Sequence, residues 1–169
     1  IITNYYYDNY LKYIFAIIYI IVLIEILKNF KIKFSTLLLL FYIMLSLFLL
    51  QIYFLNFYSL DNFLFFIFSI IVFDTFSYIG GSLFGKKKIL PTISPGKTYI
   101  GLFSGILFIL IFSLIYNHVV LLYNLPNIIL LTLLISLFSF SGDAIESYFK
   151  RMSKLKNSSN LIPGHGGFF

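Results

Sequence analysis

From Ser35 to Leu55 the sequence runs without a charged residue, and that run alone bounds what the chain can become. About 20 consecutive apolar residues are what a helix needs to cross a bilayer, where every backbone N–H and C=O must find its partner inside the segment. Tyr13–Leu27, Phe63–Phe84, Ile100–Tyr116 and Asn127–Ser141 are built in the same way, the last continuing as a wetter helix to about Arg151. Of the 169 residues 60% are hydrophobic and 11% charged, against about 25% charged in a soluble domain. The pattern predicts an all-α, polytopic integral membrane protein with about five transmembrane helices and a polar site at its cytoplasmic face. Val119–Leu125 is apolar but broken at Asn124 and Pro126, and reads as an interfacial segment or as the start of the fifth helix. With no internal repeat and no long linker, residues 1–169 read as one membrane domain, 1–60 being generic N-terminal helices.

The basic residues set the expected orientation. Lys28, Lys31 and Lys33 lie between the first two runs, Lys86, Lys87, Lys88 and Lys97 between the third and fourth, and Lys150, Arg151, Lys154 and Lys156 after the fifth. Of the 12 Lys and Arg, Lys12 alone falls on the other side. The side rich in Lys and Arg is the cytoplasmic one, so the N-terminus is expected outside and the C-terminal end inside. The net charge of +6 is then mostly a topology signal, with anionic lipid headgroups as a further partner. No soluble basic face is present for nucleic acid. The chain holds no cysteine and two histidines, which excludes a disulfide framework, a thiolate metal site and a histidine-based zinc site. It opens on Ile1 rather than Met and stops after Phe169, which reads as a fragment.

Within this apolar chain a few polar residues need a reason. Asp74 sits inside the third run, where a charge at the bilayer centre costs about 2.5–3.5 kcal/mol on insertion scales; the plain alternative is an aspartate at the membrane edge. Ser77 and Tyr78 share its helix face, and Gly80, Gly81 and Gly85 follow, allowing close helix contact. Glu25 lies a few residues from Lys28 and is expected to reach the same interface by snorkelling. The loop "GKKKILPTISPGKTYIG", 85–101, is stiffened by Pro91 and Pro95 and loosened by Gly96. It places Lys97 just before Thr98, where the fourth helix begins. Free N–H groups and the helix dipole favour anions there, with Ser94 and Thr98 able to cap. The spacing of a P-loop is absent.

After Ser141 the sequence becomes polar: "SGDAIESYFKRMSKLKNSSNLIPGHGGFF". Asp143, Glu146 and Ser147 fall on one helix face, and Lys150 continues it with Arg151 alongside. Two carboxylates without nitrogen or sulfur partners suit Mg²⁺ better than zinc, and the bases suit phosphate. A salt-bridged helix end, Glu146 with Lys150, is the plain alternative. "PGHGG", 163–167, is a turn whose backbone can approach a ligand closely.

Together these blocks resemble the C-terminal half of the phosphatidate cytidylyltransferase, or CDP-diacylglycerol synthase, family. Ser147, Lys150, Arg151, Lys156, Pro163, His165, Gly166 and Gly167 match its S-x-x-K-R … K-D … P-x-H-G-G signature in type and spacing. Gly142, Asp143, Glu146 and Ser147 match its G-D-x-x-E-S block, and Asp74–Gly85 and Ser94–Thr98 its upstream segments. The resemblance covers about residues 70–169. It departs at Asn157, where the family has Asp, at Ile100, often Glu or Gln, and at Phe169, where the family's D-R-x-D would begin.

The resemblance implies transfer of a cytidylyl group from CTP to phosphatidate, giving CDP-diacylglycerol and pyrophosphate in phospholipid biosynthesis. It implies catalytic roles for Asp74, Lys97, Asp143, Lys150 and Arg151, and substrate contacts from Ser94, Thr98, Ser147, Lys156, His165, Gly166 and Gly167. Asp143 and Glu146 would carry Mg²⁺. The nucleophile would be a phosphate oxygen already ionised near neutral pH, so a Ser-His-Asp constellation is not required. Expected partners are CTP, phosphatidate and membrane lipids, with a homo-oligomer left open and no nucleic acid. The expected location is a bacterial inner membrane. The alternatives are a CTP-dependent polyprenol or phytol kinase, or a degenerate inactive relative.

Overall fold

Hydrocarbon offers a backbone no hydrogen-bond partner but itself, and the chain is accordingly built of helices. The computed structural model describes the backbone of residues 2–29 and 34–152, with side chains for 13–28 and 36–152. The elements are α1 (Ile2–Asn29), α2 (Phe34–Asn56), α3 (Leu60–Phe84), strands β1 (Lys88–Leu90) and β2 (Ser94–Thr98), α4 (Tyr99–Tyr116), a π-helical turn (Asn117–Leu121) and α5 (Leu125–Met152). Among the described residues, Thr36–Asn56, Leu60–Phe84, Tyr99–Leu121 and Leu125–Met152 are long and apolar enough to cross a membrane. The remaining apolar run, Tyr13–Leu27, lies in α1. The all-α membrane architecture is as expected. The chain divides into two compact units, Ile1–Tyr58 with Phe149–Phe169, and Ser59–Tyr148.

In the first unit α1 packs on α2 around buried Ile26, Leu39 and Ile43, with Tyr19, Val22 and Phe149 against them. The Ser46 hydroxyl gives its proton to Ile43 O at 2.8 Å. A hydroxyl has one proton, so the 2.9 Å contact of Tyr19 Oη with Ser46 Oγ is donated by the tyrosine. Glu25, expected at the interface, is instead only 2% exposed: it neighbours Ile26 on the turn of α1 that α2 covers.

In the second unit α3 and α4 run antiparallel along a seam of small residues. A Cβ on Gly101 would come 2.6 Å from Ser77 O, and one on Gly105 would fall on Ser77 Oγ and 2.9 Å from the Phe73 ring. Missing side chains at these two positions let the backbones approach closely. The Ser104 hydroxyl then shares its proton between Gly101 O and, across the seam, Phe76 O, each at 2.8 Å. Phe76 stacks on Phe108 at 3.8 Å between ring centres. α5 joins the core through Ile128 and Ile135, which meet Phe65, Phe73 and Ile109. Thr132 and Ser136 lie on the same buried face with their hydroxyls turned back to Ile128 O and Leu133 O.

The Val119–Leu125 stretch is resolved into two parts. α4 runs on through the π-helical turn to Leu121, and α5 starts at Leu125. Between them Leu122 has φ 55°, a left-handed conformation that costs a non-glycine residue about 1–2 kcal/mol. Asn117 holds it there: Tyr123 N donates to Asn117 Oδ1 at 2.9 Å, and Asn117 Nδ2 donates to Tyr123 O at 3.0 Å. Tyr123 Oη also donates to Asn62 Oδ1 at the start of α3, at 2.8 Å.

The Lys-rich loop is more ordered than its sequence suggested. β1 and β2 form an antiparallel hairpin pairing Lys88 with Thr98 and Leu90 with Ser94, with a register shift between the two pairs. Thr98 closes it and caps α4, its Oγ1 accepting from Gly101 N at 3.1 Å, which satisfies one of the helix's free donors.

Candidate active site

Three separate parts of the second unit bring their polar residues to one cavity of about 270 Å³. From α3 come Asp74 and Ser77, from the hairpin Ser94, Lys97 and Thr98, and from α5 Phe140 and Asp143. The α3–α4 seam makes this possible. With small residues between the helices, α4 begins against the last turns of α3, around Gly81 and Gly85, and the hairpin that feeds α4 carries Lys97 along.

Lys97 is the hub. Its Nζ donates to Asp143 Oδ2 at 3.1 Å and to Phe140 O at 3.3 Å, and it stands 4.5 Å over the centre of the Phe140 ring, within cation–π range. Its side chain is 17% exposed and that of Asp143 54%, so the carboxylate faces open space while the ammonium is covered. Asp74 is held from α5 by Ser139, whose hydroxyl donates to Asp74 Oδ1 at 3.0 Å. The face of α5 that buries Ile128, Thr132 and Ile135 continues as Ser139 and Asp143, turning from core to site along one helix.

Of the residues singled out in the sequence, Asp74, Ser77, Tyr78, Ser94, Lys97, Thr98 and Asp143 line this one cavity. Glu146 and Ser147 follow on α5 and are not among its lining residues. Lys150 and Arg151 stand in the last turn of α5, in the other compact unit. Lys156, Asn157, His165, Gly166 and Gly167 lie outside the described residues. Ser77 and Tyr78 line the cavity beside Asp74 as expected; Ser77 also packs its Oγ where a side chain on Gly105 would be, and Tyr78 is 76% exposed. Sequence reasoning missed Ser139 and Phe140. A serine and a phenylalanine in an apolar run carry no signal of their own, although Ser139 lies one helical turn before Asp143.

Among the described residues no three His, Cys, Asp or Glu come together as a ready-made metal cage. What the cavity offers is two carboxylates and hydroxyl and carbonyl oxygens, with no sulfur or imidazole among its lining residues. That donor set fits a hard cation of the Mg²⁺ kind, which binds through one or two carboxylates together with substrate phosphates.

The family model of the cytidylyltransferase family matches residues 2–169. A phosphatidate cytidylyltransferase of Staphylococcus epidermidis is 44% identical over 95 residues, covering 56% of this chain and 36% of that protein. Those of Haemophilus influenzae and Bacillus subtilis are 40% identical over 99 residues and 42% over 96, each covering 56% of this chain and 34% and 35% of the relative. The chain thus spans about a third of the length of the curated relatives it matches. Helices of membrane-crossing length, a site assembled from α3, the hairpin and α5, and a family match along nearly the whole chain lead to one statement: the chain belongs to the cytidylyltransferase family.

Proposed function

We propose that this chain carries a site for transfer of a cytidylyl group from CTP to phosphatidate, yielding CDP-diacylglycerol and pyrophosphate. The observation that carries the proposal is the convergence of Asp74, Lys97 and Asp143 from three elements on one cavity, in a chain of this family. Phosphoryl chemistry of this kind asks the protein for positioning and charge compensation more than for a general base. Lys97 supplies positive charge for the triphosphate. Thr98 fixes the start of α4, so that β2 presents Lys97 at a set depth. Asp143 and Asp74 would hold a magnesium ion, with Glu146 a further carboxylate on α5; when bound, the ion would neutralise triphosphate oxygens. Ser139 orients Asp74, and Phe140 seats Lys97. Lys150 and Arg151 are proposed as additional phosphate contacts. The Lys-rich hairpin supports a cytoplasmic site with the N-terminus outside, in a bacterial inner membrane.

The test follows label from α-phosphate-labelled CTP into lipid, using membranes that contain the protein, phosphatidate, and Mg²⁺ or a chelator. Label retained in a CDP-lipid only with Mg²⁺ is the expected result. No labelled lipid would remove the reading, and label appearing in lipid only from γ-labelled CTP would replace it with a lipid kinase.

A further inference from the structure

A lysine ammonium has three N–H donors and no acceptor, and Lys97 has partners for two of them. Two point to Asp143 Oδ2 at 3.1 Å and Phe140 O at 3.3 Å, and the nitrogen rests over the Phe140 ring. In this geometry two of the three donors are committed to the protein and not to a phosphate oxygen. Asp143 Oδ2 and Phe140 O are also hard oxygen donors, the kind that Mg²⁺ or Mn²⁺ takes. A tethered ammonium and a free divalent cation therefore compete for one carboxylate oxygen.

We infer that Lys97 and a divalent cation exchange on Asp143: as the cation takes the carboxylate, the ammonium leaves it and turns its freed N–H toward a phosphate oxygen. Exchange keeps the charges compensated, whereas pulling the covered ammonium off Asp143 with nothing in return would leave it without its ion-pair partner. The hairpin allows the swing. Nothing lies within 4 Å of where a Cβ on Gly96 would be, so the chain before Lys97 has room, while Thr98 after it is fixed as the helix cap. The movement is then one of the Lys97 side chain and not of α4. The rival arrangement leaves Oδ2 with Lys97 and lets Oδ1 take the ion. The phosphate half of the inference rests on the cytidylyl-transfer reading; the cation half does not.

The experiment is amine footprinting of the full chain in lipid nanodiscs, with a water-soluble acylating reagent and readout by peptide mass spectrometry. Lys86 and Lys88, both exposed, serve as internal standards. Mg²⁺ or Mn²⁺ without nucleotide is expected to raise Lys97 labelling about three- to tenfold relative to them, the change for losing one partly exposed ion pair. Asp143→Asn should reach that level with no ion added. Labelling unchanged by the ion, or as slow in Asp143→Asn as in the wild type, overturns the exchange; so does a rise that needs CTP and no ion. A second measurement counts Mn²⁺ by electron paramagnetic resonance. Lys97→Met, folded by circular dichroism, should bind it about three- to tenfold tighter without nucleotide, and equal or weaker binding overturns the exchange. A cation-driven rise in a chain that makes no CDP-lipid supports the exchange and removes the cytidylyl-transfer reading.

Discussion

The Ser139 hydroxyl on α5 donates to Asp74 Oδ1 on α3 at 3.0 Å, tying the two carboxylate-bearing helices together at the cavity. One such hydrogen bond is worth about 1 kcal/mol net. Ser139→Ala is expected to raise the Mg²⁺ concentration for half-maximal CDP-lipid formation about fivefold, with turnover at saturating Mg²⁺ changed less. Ser139→Thr should restore it. Titration of activity against Mg²⁺ checks both, and an unchanged midpoint in Ser139→Ala would remove the orienting role.

Asp143 both pairs with Lys97 and faces the open cavity. Asp143→Asn keeps the shape and removes the charge. Loss of charge stabilisation worth several kcal/mol corresponds to a fall in turnover of about a thousandfold, measured with labelled CTP on protein whose helix content is confirmed by circular dichroism. Activity within a factor of a few of the wild type would take Asp143 out of the site.

The seam between α3 and α4 has no room at Gly105, where a side chain would strike Ser77 and the Phe73 ring, and ample room at Gly96. Gly105→Leu should destabilise the protein by about 1–3 kcal/mol through overpacking, while Gly96→Ala should stay within about 0.5 kcal/mol of the wild type. Thermal unfolding in detergent distinguishes them. Activity should fall with stability in the first and be retained in the second, because the seam sets where the hairpin delivers Lys97.

Asn117 makes both hydrogen bonds that brace the left-handed Leu122 against Tyr123. Asn117→Ala should cost about 1–3 kcal/mol. Leu122→Gly relieves the positive φ and should recover about 1 kcal/mol of that in the double variant. The same unfolding measurement checks this; no recovery would mean that the backbone leaves the left-handed region once Asn117 is gone.

With no cysteine in the chain, introduced thiols give a clean map of sidedness. Thr92→Cys in the hairpin should react with a membrane-impermeant maleimide only from the cytoplasm, and Asn124→Cys in the α4–α5 connection only from the other side. The reverse pattern would overturn the orientation drawn from the lysines.

Much of the frame was legible because each piece is local. A helix in hydrocarbon satisfies its own backbone, so four apolar runs marked α2 to α5 to within a few residues. Thr98 was readable as a cap because an N-cap acts on N–H groups two and three residues ahead. The hairpin was not readable. β1 is three residues long and too short to show a period; it exists through its pairing with β2. Glu25 misled for a related reason: its nearness to Lys28 in sequence says nothing of the α2 side chains that close over its turn.

The sequence by itself determined that the chain is helical, apolar enough for a membrane, and ends in carboxylates and bases that match one family, since composition, caps and motif order are properties of neighbouring residues. Only the tertiary structure decided which carboxylates meet. Helix periodicity paired Asp143 with Glu146 on one face, whereas the cavity sets Asp143 with Asp74, bonds it to Lys97, and recruits Ser139 and Phe140. The reason is physical. Those contacts depend on how closely α3 and α4 approach at Gly101 and Gly105, and on the depth at which the hairpin then holds Lys97. Packing between segments far apart in the chain fixes both distances.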